Sequence, residues 1–403
     1  MSTTTSGAPG HRAATTPSTM RAANRSAVLK QAWGMPQTFT ASELMALSGL
    51  TRATVLDVCR DLLQRGWIQP GATETAATRG RQALRFAFNA RRTLVVGADI
   101  GHHSLSVEVA DLSGTTLGSD TRVFDEDDDE QRGSHLTAVT LRALEAAGVD
   151  RSEVSTACVG IAAPVTTSGT PPTGSSFWGS VAIDLERLAV DFPGWGFHVE
   201  NDANLAVLAE MHHEDIAPDA TLIALLSGER LGAGIMIGGR LHRGAHGTAG
   251  EMEYLDQVVG VEGSFGLAAL ARILAGEALR TGADSSLRRH VAEGTGEVSA
   301  AQVLQAAADG DRLALTVLDR TAERLATTLM TIGGLLDPEL VVISGGVAGL
   351  AQPVVADVNR RLAELLPAPP EVRASSLGRE VVLKGAVRMA IDRVRATALA
   401  DLA

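Results

Sequence analysis

An aspartate and a glycine around one tight turn are the residues of this sequence with the clearest chemical potential. They lie in GADIGHHSLSVEVADLSG, Gly97 to Gly114, where Asp99 and Gly101 stand between two alternating runs that read as a β-hairpin. An acidic residue and a glycine in such a place are parts of a phosphate-cradling turn. His102 and His103 follow directly and put two imidazoles where backbone alone should approach a phosphate. The pair is a poor metal chelate, because neighbours on a strand point to opposite faces. His212 and His213 meet the same objection on a helix, where neighbours diverge by roughly 100°. Cys59 and Cys158 are the only cysteines and form no CxxC pair, so neither a disulfide framework nor a zinc site is expected.

A second set of residues suits nucleic acid. Thr51, Arg52, Thr54 and Asp57 fall outside the apolar stripe of a short helix, and Arg79-Gly80-Arg81 places two guanidiniums around a flexible residue. The elements needed to present them are legible nearby. Ala27, Val28 and Ala32 outline a first helix that ends near Gly34 and Pro36. Thr40 and Glu43 have the spacing of a capping box that opens a second helix, stopped at Gly49. Thr51 is a good N-cap for a third, in which Val55, Val58, Cys59 and Leu62 recur at three and four positions. WIQPG and ALRFAFN then read as two strands around residues 72–82, the layout of a wing. In a winged helix-turn-helix the start of the third helix enters the major groove, and the wing arginines suit a narrow minor groove. Thr51, Arg52, Thr54, Asp57, Arg79 and Arg81 are therefore the candidate contacts to a double-stranded DNA operator, with Arg60 a backbone contact or simply solvated.

Charge agrees with this division. The chain carries a net charge of −12, yet residues 1–92 hold 12 Arg and Lys against 4 Asp and Glu, leaving 23 against 43 in the rest. Such asymmetry suggests a basic module in front of an acidic globular body. With 403 residues, 45% of them hydrophobic, the chain can bury two or three cores. No apolar run approaches the roughly 18 residues of a membrane span, and the first 22 residues lack a signal-peptide core, so a cytoplasmic protein without membrane contact is expected. The expected domains are a flexible tail at 1–22, a winged helix at 23–90 and an α/β body at 93–403. Asp125 to Glu130 reads as an exposed acidic loop in that body.

ENDAN at 200–204, RGAHGTAGE at 243–251 and VVISGG at 341–346 together form a specific signature. On these stretches the chain resembles the ROK family, which contains repressors and sugar kinases. The resemblance implies a two-lobed body of the actin-like, ribonuclease-H-like kind behind the winged helix, an arrangement similar to the repressor branch. It implies that Asp202 stands where the kinases have their general base, beside Asn201, and that Glu251 keeps the place of a sugar-hydroxyl acceptor. Other positions depart from the kinase pattern. His102, His103 and Ser104 replace the Gly, Thr and Lys of the first phosphate turn. The second turn, Gly228-Glu229-Arg230-Leu231-Gly232, puts a carboxylate where donors should meet a γ-phosphate. Tyr254 stands for a family His, Ala269 for a sugar-binding Glu and Phe177 for an Asn, and the family's cysteine-rich zinc motif is reduced to GVEGSFGLAAL.

The expectation is a DNA-binding transcriptional regulator, a repressor of carbohydrate-related genes rather than an enzyme, with no cofactor and no metal. Its pocket, from Asn201, Asp202, Glu251 and Tyr254, would bind a sugar-like effector, with Asp202 a vestigial base. Homodimers are expected from the resemblance and from the two-half-site logic of helix-turn-helix proteins. The alternatives are an ATP-dependent sugar kinase carrying a DNA-binding domain and an architectural DNA-binding protein whose pocket takes no effector.

Overall fold

The computed structural model describes residues 17–35, 37–71, 84–124, 132–166, 183–213, 216–258, 261, 263–291, 298–346 and 352–402. The chain divides into two compact units, Met1–Thr93 with Asp392–Ala403, and Leu94–Ile391.

The first unit opens with α1 (Pro17–Trp33), followed by β1 (Phe39–Thr40), α2 (Ala41–Ser48), α3 (Arg52–Gln64), β2 (Ile68–Pro70) and β3 (Arg85–Phe88). The three strands form one antiparallel sheet in the order β1-β3-β2. Local chemistry accounts for the helix ends. Thr40 and Glu43 make both arms of the capping box on α2, and Gly49 terminates it in the left-handed region at φ 69°. Val55, Val58, Cys59 and Leu62 face inward from α3 as their spacing predicts. They pack with Val28 and Leu29 of α1, Leu44 of α2 and Phe86 of β3. Two boundaries differ from the sequence-based expectation. The tail placed at 1–22 is helical from Pro17 and already buries Ala22. The last twelve residues, assigned above to the α/β body, belong here instead, since Ala398 and Leu402 lie in the same core as Val28 and Leu62.

The second unit contains β4 (Leu94–Ile100), β5 (Ser104–Asp111), β6 (Thr116–Val123), α4 (Leu136–Ala147), β7 (Val154–Ile161), α5 (Leu185–Asp191), β8 (Gly196–Asn201) and α6 (Asp202–His213). It continues through β9 (Leu222–Ser227), β10 (Leu231–Ile237), β11 (Arg240–Leu241), α7 (Leu267–Arg280), α8 (Ala300–Ala308), α9 (Arg312–Leu336) and β12 (Leu340–Ser344). It closes with α10 (Gln352–Leu365), β13 (Glu371–Ala374) and the first half of α11 (Val381–Asp401). The two five-stranded sheets have one topology, orders β6-β5-β4-β7-β8 and β11-β10-β9-β12-β13. In each, three antiparallel strands are followed by two parallel ones. The mixture follows from the connections: tight turns return a strand antiparallel, whereas the helical crossovers β7-α5-β8 and β12-α10-β13 restore the parallel direction. The first sheet buries Val96, Val107 and Val159 with Val139 of α4, and the second buries Ile223 and Ile343 with residues of α7 to α10.

Candidate functional site

On the DNA-reading candidate, side chains at the start of α3 are partly spent on the helix itself. Thr51 Oγ1 accepts the N–H of Thr54 at 3.4 Å and lies 3.0 Å from Thr54 Oγ1. These hydroxyls cap the helix. Arg52 is exposed, and Asp57 receives Arg60 Nη1 at 3.0 Å on the solvent side. Arg60 thus shares the exposed face with Asp57, a placement that the helical spacing of three would have given. Arg79 and Arg81 lie outside the described residues, as do Phe177 and the acidic run 125–130.

In the α/β unit the carboxyl of Asp202 feels the charge of Asp99 and is felt in turn by Glu251. Asp99 lies within β4, between Ser106 of β5 and Gly160 of β7, and the turn comes after it, at Gly101 to His103. Asp202 is the first residue of α6. Glu251 follows the loop after β11 and bridges to Gly232 of β10. Gly250 makes this possible: at φ 88° it approaches Ala233 so closely that an added Cβ would overlap the Ala233 carbonyl oxygen. Burial pushes Asp99 up to about 7. Burial likewise raises Asp202 to about 7, opposed by the Ala203 N–H on its carboxylate and reinforced by the charge of Asp99. Glu251 rises to about 7 through burial, then through Asp202 and Glu253, with Arg230 opposing. Each of the three thus lacks a full complement of donors for its charged form.

The neighbours predicted with them behave differently. Asn201 Nδ2 donates to Ala163 O at 3.1 Å and its Oδ1 accepts the Asn204 N–H at 3.0 Å, so it holds the start of α6. Tyr254 departs from the pocket expected for it. It sits on a single turn, Glu253–Gln257, with 72% of its surface exposed, and its phenol is not among the groups brought together. Ala269 is buried in α7 with its N–H toward Gly228 O at 3.4 Å. Among the described residues no group of three His, Cys, Asp or Glu converges as a metal site.

Both turns that could cradle phosphate are closed on themselves. Gly101 N–H donates to Ser104 O at 2.9 Å across His102 and His103. In the second turn, Gly228 N–H donates to Arg230 O at 3.3 Å and Leu231 N–H to Ser264 O at 2.9 Å. The start of α7 is spent there as well. Gly266 N–H donates to Glu229 O at 3.1 Å, and Leu267 N–H to Ser227 Oγ at 2.6 Å. Arg272 then covers Glu229 at 2.6 Å, and Arg230 reaches Ser264 Oγ at 2.9 Å. Backbone donors used in this way are not available to an anion.

Two residues that sequence reasoning passed over sit at the centre of this arrangement. Glu200, 4% exposed, receives both Nε and Nη2 of Arg243, at 2.9 and 2.6 Å. Each belongs to a stretch already singled out, ENDAN and RGAHGTAGE, but nothing in either pattern shows that the two meet.

The ROK family profile matches residues 95–393. The chain belongs to the ROK family. A putative xylose repressor from Caldicellulosiruptor sp. (strain Rt8B.4) is 22% identical over 339 residues, covering 80% of this chain and 83% of that protein. Among solved structures, a ROK family transcriptional regulator, a homologue of the E. coli MLC protein, matches with a TM-score of 0.72 at 21% identity, over 95% of this chain and 99% of that one. A ROK family glucokinase from Streptomyces griseus, in complex with glucose and AMPPNP, matches with a TM-score of 0.59 at 23% identity, over 74% of this chain and 99% of the kinase. The regulator's fold thus accounts for nearly the whole chain, the kinase's for about three quarters. No helix among the described residues is long and apolar enough to cross a membrane.

Proposed function

We propose that this ROK protein is a DNA-binding transcriptional regulator, a repressor of carbohydrate-related genes, whose α/β unit binds a sugar-like effector without phosphorylating it. The observation that carries this reading is the self-satisfied second phosphate turn, Gly228 to Gly232, whose backbone and side chains bond to one another and to the start of α7. Phosphoryl transfer needs donors aimed at the transferred group, and here the amides of Gly228 and Leu231 and the Arg230 guanidinium are committed within the protein. Asp99, Asp202 and Glu251 supply acceptors for ligand hydroxyls, and the repressor relatives support regulation as the output. The operator contacts in this reading are Thr51, Arg52, Thr54 and Asp57 at the start of α3, with Arg79 and Arg81, and a homodimer would present two such units to two half-sites.

A coupled assay with ATP and common hexoses tests the non-kinase part. Turnover stays below the roughly 1 per second that marks ordinary enzymes. A sugar kinase is the second reading, favoured by the retained Asp202 and Glu251, and turnover above that rate would establish it. Thermal shift against a carbohydrate panel that includes xylose and glucose identifies the effector, since a ligand bound only by the native state raises its apparent stability. For DNA, Arg81→Ala is expected to weaken operator binding and to lower the salt slope by about 0.9 per lost phosphate contact. An unchanged slope and affinity for both wing arginines would place the wing away from DNA.

A further inference from the structure

Asp202 and Glu251 come from different sheets, and one ion pair lies on the path between them. Glu200 is the penultimate residue of β8, two positions before Asp202. Its Oε1 accepts Asn201 N–H at 3.1 Å and Asn204 Nδ2 at 2.9 Å, the two residues that flank Asp202 at the start of α6. Its Oε2 accepts Arg243 twice, at 2.9 and 2.6 Å. Arg243 lies in the loop after β11, and its own carbonyl receives Ala249 N–H at 3.2 Å. That bond closes the loop 243–249 into a ring, and Gly250 then hands the chain to Glu251. The Glu200 side chain is 5% exposed and that of Arg243 28%, so the pair is shielded from solvent on the carboxylate side. Two guanidinium donors on one carboxylate oxygen fix direction as well as distance.

We infer that Glu200 and Arg243 are positioning residues of the effector site: their ion pair sets the separation of Asp202 from Glu251, and with it which hydroxylated ligand the site prefers. This rests on reading the carboxyl cluster as a sensor. Neither residue need touch the ligand. A site built to pair with particular hydroxyls rejects analogues that leave its polar groups unpaired, so a shift in spacing changes the ranking of sugars and not only their affinity.

The test uses the full chain, titrated calorimetrically with glucose, xylose and N-acetylglucosamine, as wild type, Arg243→Met and Arg243→Lys. Arg243→Met is expected to weaken the best wild-type sugar by about tenfold and to reorder the three. Arg243→Lys keeps the charge but loses the fork, and is expected to recover affinity in part while retaining an altered ranking. Operator affinity without sugar stays within about twofold of wild type, measured on the same samples. If Arg243→Met does not fold, Arg243→Lys alone decides through its ranking. A wild-type ranking in the variants overturns the inference, and so does an equal loss for all three sugars in step with a lowered Tm, which marks a structural role only. Wild type that binds none of the three removes the sensor reading and this inference together, an outcome distinct from binding with unchanged ranking.

Discussion

Asp99, Asp202 and Glu251 are each raised to about 7, whereas in the turn from Gly228 to Gly232 the amides of Gly228 and Leu231, the Arg230 guanidinium and the Glu229 carboxylate are partnered within the protein. The two regions lie on the same fold and are joined at the Gly232 to Glu251 bridge. They differ in what is left over after folding. The carboxyls are desolvated without enough donors, which costs free energy until a ligand supplies hydroxyls. In the turn, the groups named above are already paired and offer an anion less. On the proposed reading, the retained residue types in one region and the replaced types in the other have one meaning: the region left unsatisfied is the one that binds.

The largest test of this contrast is pH. A carboxyl raised from 3.8 to about 7 in the folded state keeps a proton that the unfolded chain releases. Stability from this source is present below about pH 4, is lost as pH rises to about 7, and stays lost above it. For Asp202 alone the range corresponds to about 4 kcal/mol at most. Asp202→Asn should therefore raise the Tm at pH 8 and leave it nearly unchanged at pH 4. Calorimetric scans at both values check this, and equal shifts at the two would show that Asp202 is not the source. Next in size is Asp202→Ala, expected to weaken effector binding by about 10- to 100-fold, the value of one hydrogen bond to a charged group, while operator affinity holds. A DNA titration with and without effector reads both, and loss of DNA binding itself would make Asp202 a structural residue.

Smaller effects are expected on the closed turn. Arg272→Ala removes a partner from a pair whose side chains are 31% and 43% exposed, so it should cost no more than about 1 kcal/mol in denaturant unfolding. It should not create nucleotide binding, because the backbone bonds of the turn persist, and micromolar ATP binding by the variant would contradict the closed-turn account. Tyr254→Ala is expected to do least. With the ring mostly in water, effector affinity should change by less than about twofold, well under the cost of one good hydrogen bond.

Tyr254 also marks where sequence reading stops. The capping box of Thr40 and Glu43, the stripe of α3 and the hairpin from Gly97 to Gly114 were legible because each is set by residues a few positions apart. The resemblance placed Asp202, Glu251 and Tyr254 in one pocket, but whether a side chain at a given position faces inward depends on packing across the fold. The Glu200–Arg243 pair spans 43 positions and joins two unremarkable residue types, so no periodicity announces it. Pro17 could have announced the true start of α1, since proline suits the first turn of a helix, yet the polar composition of the tail concealed it. The transfer of residues 392–402 to the first unit had no local signal at all.

That transfer bears on synthesis. Ser26 Oγ donates to Leu399 O at 3.0 Å, between residues 373 positions apart. A ribosome that has released the helix-turn-helix segment must still make the whole α/β body before the residues that complete its core emerge. Ala398 and Leu402 then fill a site that the nascent segment has carried open. A chain stalled or cleaved within the body would leave the DNA-reading unit without part of its interior.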